Sequence, residues 1–268
     1  MKVNIKKQLF IYLVFLFFFS IFHLYIKSSV GNDSTISEWL INYTGGFTKR
    51  GIIGQICIFF SRLLSSDLRE VIFYFQSITI GFYYFLVFNF LKNVKCDRIF
   101  LLSIFTPIFL LYPVAEIEVL ARKETFVFIG FLLFLNISNF NYSSNLPLYY
   151  VFFVLPIICL IWEPVVFFFP FIASVLVIRL RNNQITALLS KITICFIPAL
   201  IVAMIIATNP ITPENHSIME SSLKKNFGED CYMACGMLLS RSSIISQFVQ
   251  NYESVTFDGL IRYPLIIL

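Results

Sequence analysis

Long apolar runs separated by short polar segments constrain this chain more than any other feature of its sequence. The run from Gln8 to Ile26 contains no Lys, Arg, Asp or Glu. An α-helix needs about 20 such residues to cross the hydrocarbon core of a bilayer. Hydrophobic residues make up 58% of the chain and charged residues only 13%, and the charges fall between the runs. This pattern excludes a soluble domain and predicts a polytopic helical membrane protein.

The runs predict a single all-α membrane domain over residues 1–268, a transmembrane helical bundle with about seven spans. We expect spans near 8–26, 71–91, 99–113, 125–137, 146–162, 165–178 and 191–208. The apolar segment 51–64 is short for a span, which favours an interfacial or re-entrant helix. Residues 209–262 form one large extracytoplasmic loop in this topology. The apolar run that follows them indicates a C-terminus that is truncated within an eighth span.

The charges between the spans predict the orientation. Segments assigned to the cytoplasm contain nine of the twenty Lys and Arg residues but only one of the fifteen carboxylates, Asp97. An excess of Lys and Arg marks cytoplasmic loops, so the N-terminus is expected in the cytoplasm. No small-residue cleavage site follows the first run, which favours an uncleaved helix over a signal peptide. Chemistry is therefore expected on the extracytoplasmic face, which carries the other fourteen carboxylates.

The first candidate group follows the first span. It contains Asp33, Glu38 and the run Tyr43–Gly51, in which paired glycines precede Lys49 and Arg50. Adjacent basic side chains beside a glycine turn provide donors for a phosphate or diphosphate. Either Asp33 or Glu38 could be the relevant acid. The alternative is a tight turn whose basic residues contact lipid headgroups.

The second candidate group lies between the third and fourth predicted spans. It consists of Glu116, Glu118, Arg122, Lys123 and Glu124. If this segment is helical, Glu118 and Arg122 share a face and could pair. Glu124 lies at the edge of a span, where an ionisable group usually faces a cavity, so we expect a general base there and diphosphate binding by Arg122 and Lys123. The alternative is a solvated helix cap.

Glu163 is the third candidate, as the one charged residue between residues 146 and 178. Pro164 follows it and breaks a helix, which favours two short helices that meet at Glu163 over one broken helix. Apolar neighbours predict a raised pKa and thus a catalytic acid or base. The alternative is an exposed carboxylate at the tip of a hairpin.

The polar segment after the last complete span contains His216, Cys231 and Cys235. The two cysteines are close in sequence and lie on the predicted oxidising side, so a local disulfide is expected. A lone histidine in such a segment is more often a surface residue than a catalyst. The spacing of His, Cys and Asp suggests no metal site, and the sequence contains no P-loop or dinucleotide motif, so we expect no metal and no cofactor.

Three short runs carry a resemblance to a known group of proteins. They are "INYTGGFTKRGIIGQI" after the first span, "ARKE" before the fourth and "WEP" ahead of "FFFPF". Together with the Phe/Ile/Asn/Lys-rich composition, they resemble Wzy-type O-antigen polymerases, integral membrane proteins of bacterial polysaccharide loci.

This resemblance implies a GT-C-like glycosyltransferase in the bacterial inner membrane that acts without a metal. It would transfer a glycan from an undecaprenyl-diphosphate carrier to another lipid-linked repeat unit, with Arg50 and Arg122 on the diphosphate. Expected partners are the lipid-linked oligosaccharide, membrane lipid and other polysaccharide-assembly membrane proteins, but no nucleic acid. A flippase or transporter, or a non-catalytic membrane subunit, is the alternative.

Overall fold

The computed structural model describes residues 5–30, 34–92, 94, 104–105, 110–111, 114, 117–139, 145–180 and 185–239. All regular structure in these ranges is helical. The α-helices are α1 (Ile5–Ser29), α2 (Ser34–Leu40), α3 (Gly51–Leu64), α4 (Leu68–Leu91), α5 (Glu124–Asn139), α6 (Leu146–Ile161), α7 (Phe169–Arg179), α8 (Ile185–Thr208), α9 (Pro213–Phe227) and α10 (Met233–Gly236). Short 3₁₀ helices cover Ile117–Val119, Glu163–Phe168 and Met237–Leu239. Most of the predicted span 99–113, the candidates Asp33 and Glu116, and the C-terminal run lie outside the described residues.

Three helices of the described chain are long and apolar enough to cross a membrane. They are α1, α4 and the part of α8 from Thr186 to Thr208. Their outward side chains are apolar: Phe18 of α1 and Ile78 of α4 are 65% and 70% exposed. Such exposed apolar faces suit contact with lipid. The helices α3, α5 and α6 are also apolar but shorter, with 14 to 16 residues each.

The described helices pack around three apolar cores. One core joins α1 to α4, a second joins α5 to α6, α7 and α8, and a third lies where α2 and α3 meet α4 and α9. Trp39 of α2 is fully buried in the third core, and its indole Nε1 donates a hydrogen bond of 3.0 Å to the carbonyl of Ala121. The small helix α2 is thereby fixed between α3 and the segment that leads into α5.

The apolar stretch between residues 146 and 178 is divided at Glu163, as the sequence predicts. Helix α6 ends at Ile161, Trp162 adopts an extended backbone, and a 3₁₀ helix leads into α7 at Phe169. Pro164 lies in the first turn of that 3₁₀ helix, where the missing backbone donor costs least. The division places the Glu163 carboxylate at an end of α6 and not within a continuous helix.

Polar contacts between distant segments gather at one end of the bundle, which we call the polar end. Lys27, near the end of α1, pairs with Glu118 at 3.0 Å. At the start of α4, the guanidinium of Arg69 binds Glu229, with 2.8 Å between Nη2 and Oε2. Residues 209–239, predicted as part of a loop, contain α9 and α10. The polar end therefore contains packed helices and is not only a solvated loop.

Candidate functional site

The carboxylate of Glu38 lies at the centre of a group of charged side chains at the polar end. The side chain is only 1% exposed and accepts a hydrogen bond of 2.7 Å from Arg122 Nη2. Arg50 Nη1 lies 3.4 Å from the same oxygen, and the backbone N–H of Lys123 donates to the other oxygen at 3.5 Å. Burial of a carboxylate is costly unless it is paired and hydrogen-bonded. Two guanidinium groups and a backbone amide meet that requirement here.

Arg50 contacts Glu38 and also forms a bidentate ion pair with Glu163. Its Nε and Nη2 atoms lie 2.9 and 3.0 Å from the two carboxylate oxygens of Glu163. Burial tends to raise the pKa of Glu163, but the hydrogen bonds and positive charge of Arg50 outweigh it, and the pKa is lowered. The predicted raised pKa of Glu163 is therefore wrong. Its ionised carboxylate positions Arg50.

The backbone of Arg50 is strained, and the surrounding groups hold it. Arg50 has a φ of 63°, in the left-handed region that side-chain-bearing residues rarely adopt. The next residue must be small, because a Cβ on Gly51 would lie 2.4 Å from the ring of Tyr43. The Nζ atom of Lys123 donates a hydrogen bond to the Arg50 carbonyl. Strain retained in this way is frequent at functional sites.

Lys123 is the most deeply buried cation of the described chain, with no exposed surface. Burial lowers the pKa of its ammonium group from 10.5 to about 7, and the nearby positive charge of Arg50 acts in the same direction. The negative charge of Glu38 opposes this effect. Lys123 therefore changes its charge close to neutral pH.

Glu124 and Arg122 form the most open part of the group. Arg122 Nη2 lies 3.3 Å from Glu124 Oε1, and the two side chains are 31% and 28% exposed. Within the described residues, Arg122 Nε and Glu124 Oε2 are buried and have no hydrogen-bond partner. Burial and the negative charge of Glu38 raise the pKa of Glu124. Buried polar atoms left unsatisfied in this way mark a place where a polar ligand or a water molecule would bind.

The structure brings together most of the site residues that the sequence predicts. We use the name charged cluster for Glu38, Arg50, Arg122, Lys123, Glu124 and Glu163. Lys49 is half-buried at its edge, close enough for its charge to lower the pKa of Glu163. Of the two first-loop acids, Glu38 is in the cluster, and Asp33 lies outside the described residues. Glu118 and Arg122, which could pair if their segment were helical, do not share a helical face: Ala121, with a φ of 53°, interrupts the helical path between them, and Glu118 pairs with Lys27.

The second group of reactive side chains at the polar end consists of His216, Cys231 and Cys235. The two cysteines form a disulfide, as predicted. His216 is 5% exposed and is not the expected surface residue; its Nε2 atom lies 3.5 Å from Cys231 Sγ and 4.0 Å from Cys235 Sγ. These three residues could hold a metal ion, which the sequence spacing did not suggest. The separation of His216 from the cysteines, 15 and 19 residues, belongs to no standard zinc motif.

Within the described residues, the fold is all-helical, with three helices suited to cross a membrane and, at one end of them, a buried cluster of paired charges. Comparison with protein-family models, with curated proteins and with solved structures finds no match for this chain.

Proposed function

We propose that the charged cluster is the active site of a membrane glycosyltransferase that uses a polyprenyl-diphosphate-linked glycan, in the extension of a bacterial surface polysaccharide. The observation that carries the proposal is the convergence of the guanidinium groups of Arg50 and Arg122 on Glu38, beside two further carboxylates. Cations that can receive a departing diphosphate and a carboxylate that can receive a proton are the groups this transfer requires. The resemblance of the flanking runs to O-antigen polymerases supports the same reaction.

The proposed donor is held by the guanidinium groups. Arg50 and Arg122 are 22% and 31% exposed, so both can reach a bound anion without leaving Glu38. Arginine binds phosphate oxygens through several N–H groups in a fixed plane. The unsatisfied Nε of Arg122 offers one further donor. Lys49 lies at the edge of the cluster and adds positive charge.

Glu124 is the proposed general base. Its raised pKa brings it closer to neutral pH, where a base is most effective, and its free Oε2 can accept a proton. In the proposed step, the acceptor hydroxyl gives its proton to Glu124 and its oxygen attacks the anomeric carbon. The bond from that carbon to the diphosphate breaks, and the two arginines bind the departing polyprenyl diphosphate. Glu163 stays ionised and orients Arg50.

The polar end is the proposed extracytoplasmic face. The orientation follows from the excess of Lys and Arg in the segments assigned to the cytoplasm. The charged cluster would then lie at headgroup level, where a polyprenyl carrier presents its diphosphate. The apolar outward faces of α1, α4 and α8 would contact membrane lipid.

The test measures polysaccharide chain length in bacterial cells that lack the native copy and carry variants at equal protein level. We expect Glu124→Gln to abolish long chains, because Gln cannot take the proton. Arg50→Ala and Arg122→Ala should act similarly through the lost diphosphate contacts, with single repeat units retained. Glu70→Gln is the matched control, since Glu70 is an exposed carboxylate at the start of α4.

Normal chain length in Glu124→Gln would refute the assignment of the base. Normal chain length in all three cluster variants would refute the proposed active site. Loss of every surface repeat unit, including single ones, would point instead to export of the lipid-linked unit.

A further inference from the structure

His216, Cys231 and Cys235 form a compact group that the proposed reaction does not use. Their ligand atoms, one imidazole nitrogen and two sulfurs, all lie within 4.8 Å of one another. Cys235 has no exposed surface, His216 is 5% exposed and Cys231 is half-buried, so the group lies at the edge of the core between α2 and α9. In this core, Met219 and Leu223 of α9 are also fully buried or nearly so. If the disulfide is reduced, the group provides two soft thiolates and an imidazole, which are ligands that zinc-like cations prefer.

The nitrogen–sulfur distances within the group are close to those of a tetrahedral metal centre, whereas the distance between the two sulfurs is not. Bonds of about 2.3 Å from zinc to sulfur and about 2.05 Å to nitrogen imply an N···S separation of roughly 3.6 Å at tetrahedral angles. His216 Nε2 lies 3.5 Å from Cys231 Sγ and 4.0 Å from Cys235 Sγ. The same geometry sets the two sulfurs roughly 3.8 Å apart. Because they are joined as a disulfide here, the separation of the two sulfurs must increase, and Cys235 Sγ must also move slightly closer to His216 Nε2.

We propose that reduction of the Cys231–Cys235 disulfide creates a binding site for one thiophilic divalent cation of the zinc type, held by both sulfurs and by His216 Nε2. A dithiol reductant supplies two electrons and two protons, becomes a disulfide itself and leaves Cys231 and Cys235 as thiols. The cation then displaces both thiol protons and binds two thiolates and a neutral imidazole. The disulfide and the metal complex exclude each other, because the same sulfur atoms form both.

Three structural details bear on this exchange. His216 Nε2 lies 3.1 Å from the carbonyl of Cys235, so binding of a cation replaces that contact with a metal bond. The group provides three protein ligands, which leaves a fourth position of a tetrahedral ion for water or an external ligand. The segment also contacts α2, where the Ala234 N–H donates to Ser37 Oγ at 3.2 Å. The metal-bound and disulfide forms would therefore both be anchored next to Glu38.

The experiment measures zinc content of the full chain purified in detergent. One sample stays oxidised; the other is reduced by a dithiol that is removed under nitrogen before Zn²⁺ is added and excess ion is desalted. We expect about one zinc per reduced chain and far less in the oxidised chain. His216→Gln should weaken zinc binding at least about tenfold in competition with a chelator, and Cys231→Ser should do the same.

Cys195→Ser is the matched control, because this half-buried free thiol lies in α8, outside the group. Its zinc binding should equal that of the unmodified chain. His216→Gln retains the disulfide, so it still reports on the site if a cysteine variant fails to fold. Equal zinc content in the reduced and oxidised chains would overturn the proposal, and so would unchanged affinity in His216→Gln. Neither result would bear on the glycosyltransferase assignment, which rests on other residues.

Discussion

Replacement of Lys123 by methionine should change protein stability in opposite directions at low and high pH. Lys123 has no exposed surface, and burial lowers its pKa from 10.5 to about 7. The difference of about 3.5 pH units corresponds to a cost of about 5 kcal/mol for holding the charged ammonium in the folded protein. Methionine has a similar length but no charge, so it removes this cost.

The direction in which stability changes with pH follows from the number of protons bound in the folded and unfolded states. Between pH 7 and pH 10.5 the unfolded chain binds more protons at this lysine than the folded chain does. The folded protein therefore becomes more stable as pH rises through this window, and the full cost is present below about pH 7. Methionine also leaves the Arg50 carbonyl without the hydrogen bond from Lys123 Nζ, a loss of about 1–3 kcal/mol that does not depend on pH.

At pH 6 the removed charge cost is larger than the lost hydrogen bond, so Lys123→Met should be more stable than the unmodified chain by about 2–4 kcal/mol. At pH 10 the lysine is neutral in the folded protein and still partly charged in the unfolded chain, so the remaining charge cost is only about 1 kcal/mol. The lost hydrogen bond then outweighs it, and the variant should be less stable by about 1 kcal/mol. The two stability curves are expected to cross between about pH 8 and pH 10.

The natural reporters are the two tryptophans of the chain. Trp39 and Trp162 adjoin Glu38 and Glu163 in sequence, so their fluorescence follows loss of the cluster. We would measure the apparent melting temperature in detergent from pH 6 to pH 10, and compare the variant with Lys225→Met. Lys225 is exposed near the end of α9, so its variant should parallel the unmodified chain. A Lys123→Met curve that is also parallel would refute a buried lysine of lowered pKa.

Two further predictions concern stability at the polar end, measured in the same way. Arg69→Met should destabilise the protein by about 3–5 kcal/mol, because it leaves the Glu229 carboxylate, only 7% exposed, buried without its cation; a loss below 1 kcal/mol would contradict this. Gly54→Ala should cost about 3 kcal/mol or more, because a Cβ there would lie 2.1 Å from the Ile41 carbonyl oxygen. Gly236→Ala, with no atom within 4 Å of the added Cβ, is its control and should be neutral or slightly stabilising.

The helices follow from the sequence because their signals are local. Apolar runs of sufficient length predict α1, α4 and α8. Pro164 predicts the break after α6, since a proline removes a backbone donor whatever the tertiary structure around it. The short apolar run at 51–64 likewise becomes α3 (Gly51–Leu64). None of these assignments requires knowledge of which helices are neighbours.

The charged cluster was only partly predictable, because its pairings are tertiary. Arg50 and Glu163 are 113 residues apart, and nothing in the sequence shows that they meet. The ion pair with Arg50 lowers the pKa of Glu163, whereas apolar neighbours alone would have raised it. Of the residues in the charged cluster, Glu38 is the one whose role the local sequence indicates least, because it is a single acid in a short polar helix. The adjacent Trp39 is its one sequence clue, because an aromatic residue in a polar segment often marks a buried face.

The balance of charge in the cluster determines how an anion could bind there. Glu38 and Glu163 are held by short contacts to Arg50 and Arg122, whereas the contact of Glu124 with Arg122 is longer, at 3.3 Å. An arriving diphosphate would therefore displace Glu124 first. Its negative charge would raise the pKa of Glu124 further, because like charges disfavour the ionised form. Binding of the donor would in this way bring the proposed base closer to neutral pH at the step that requires it.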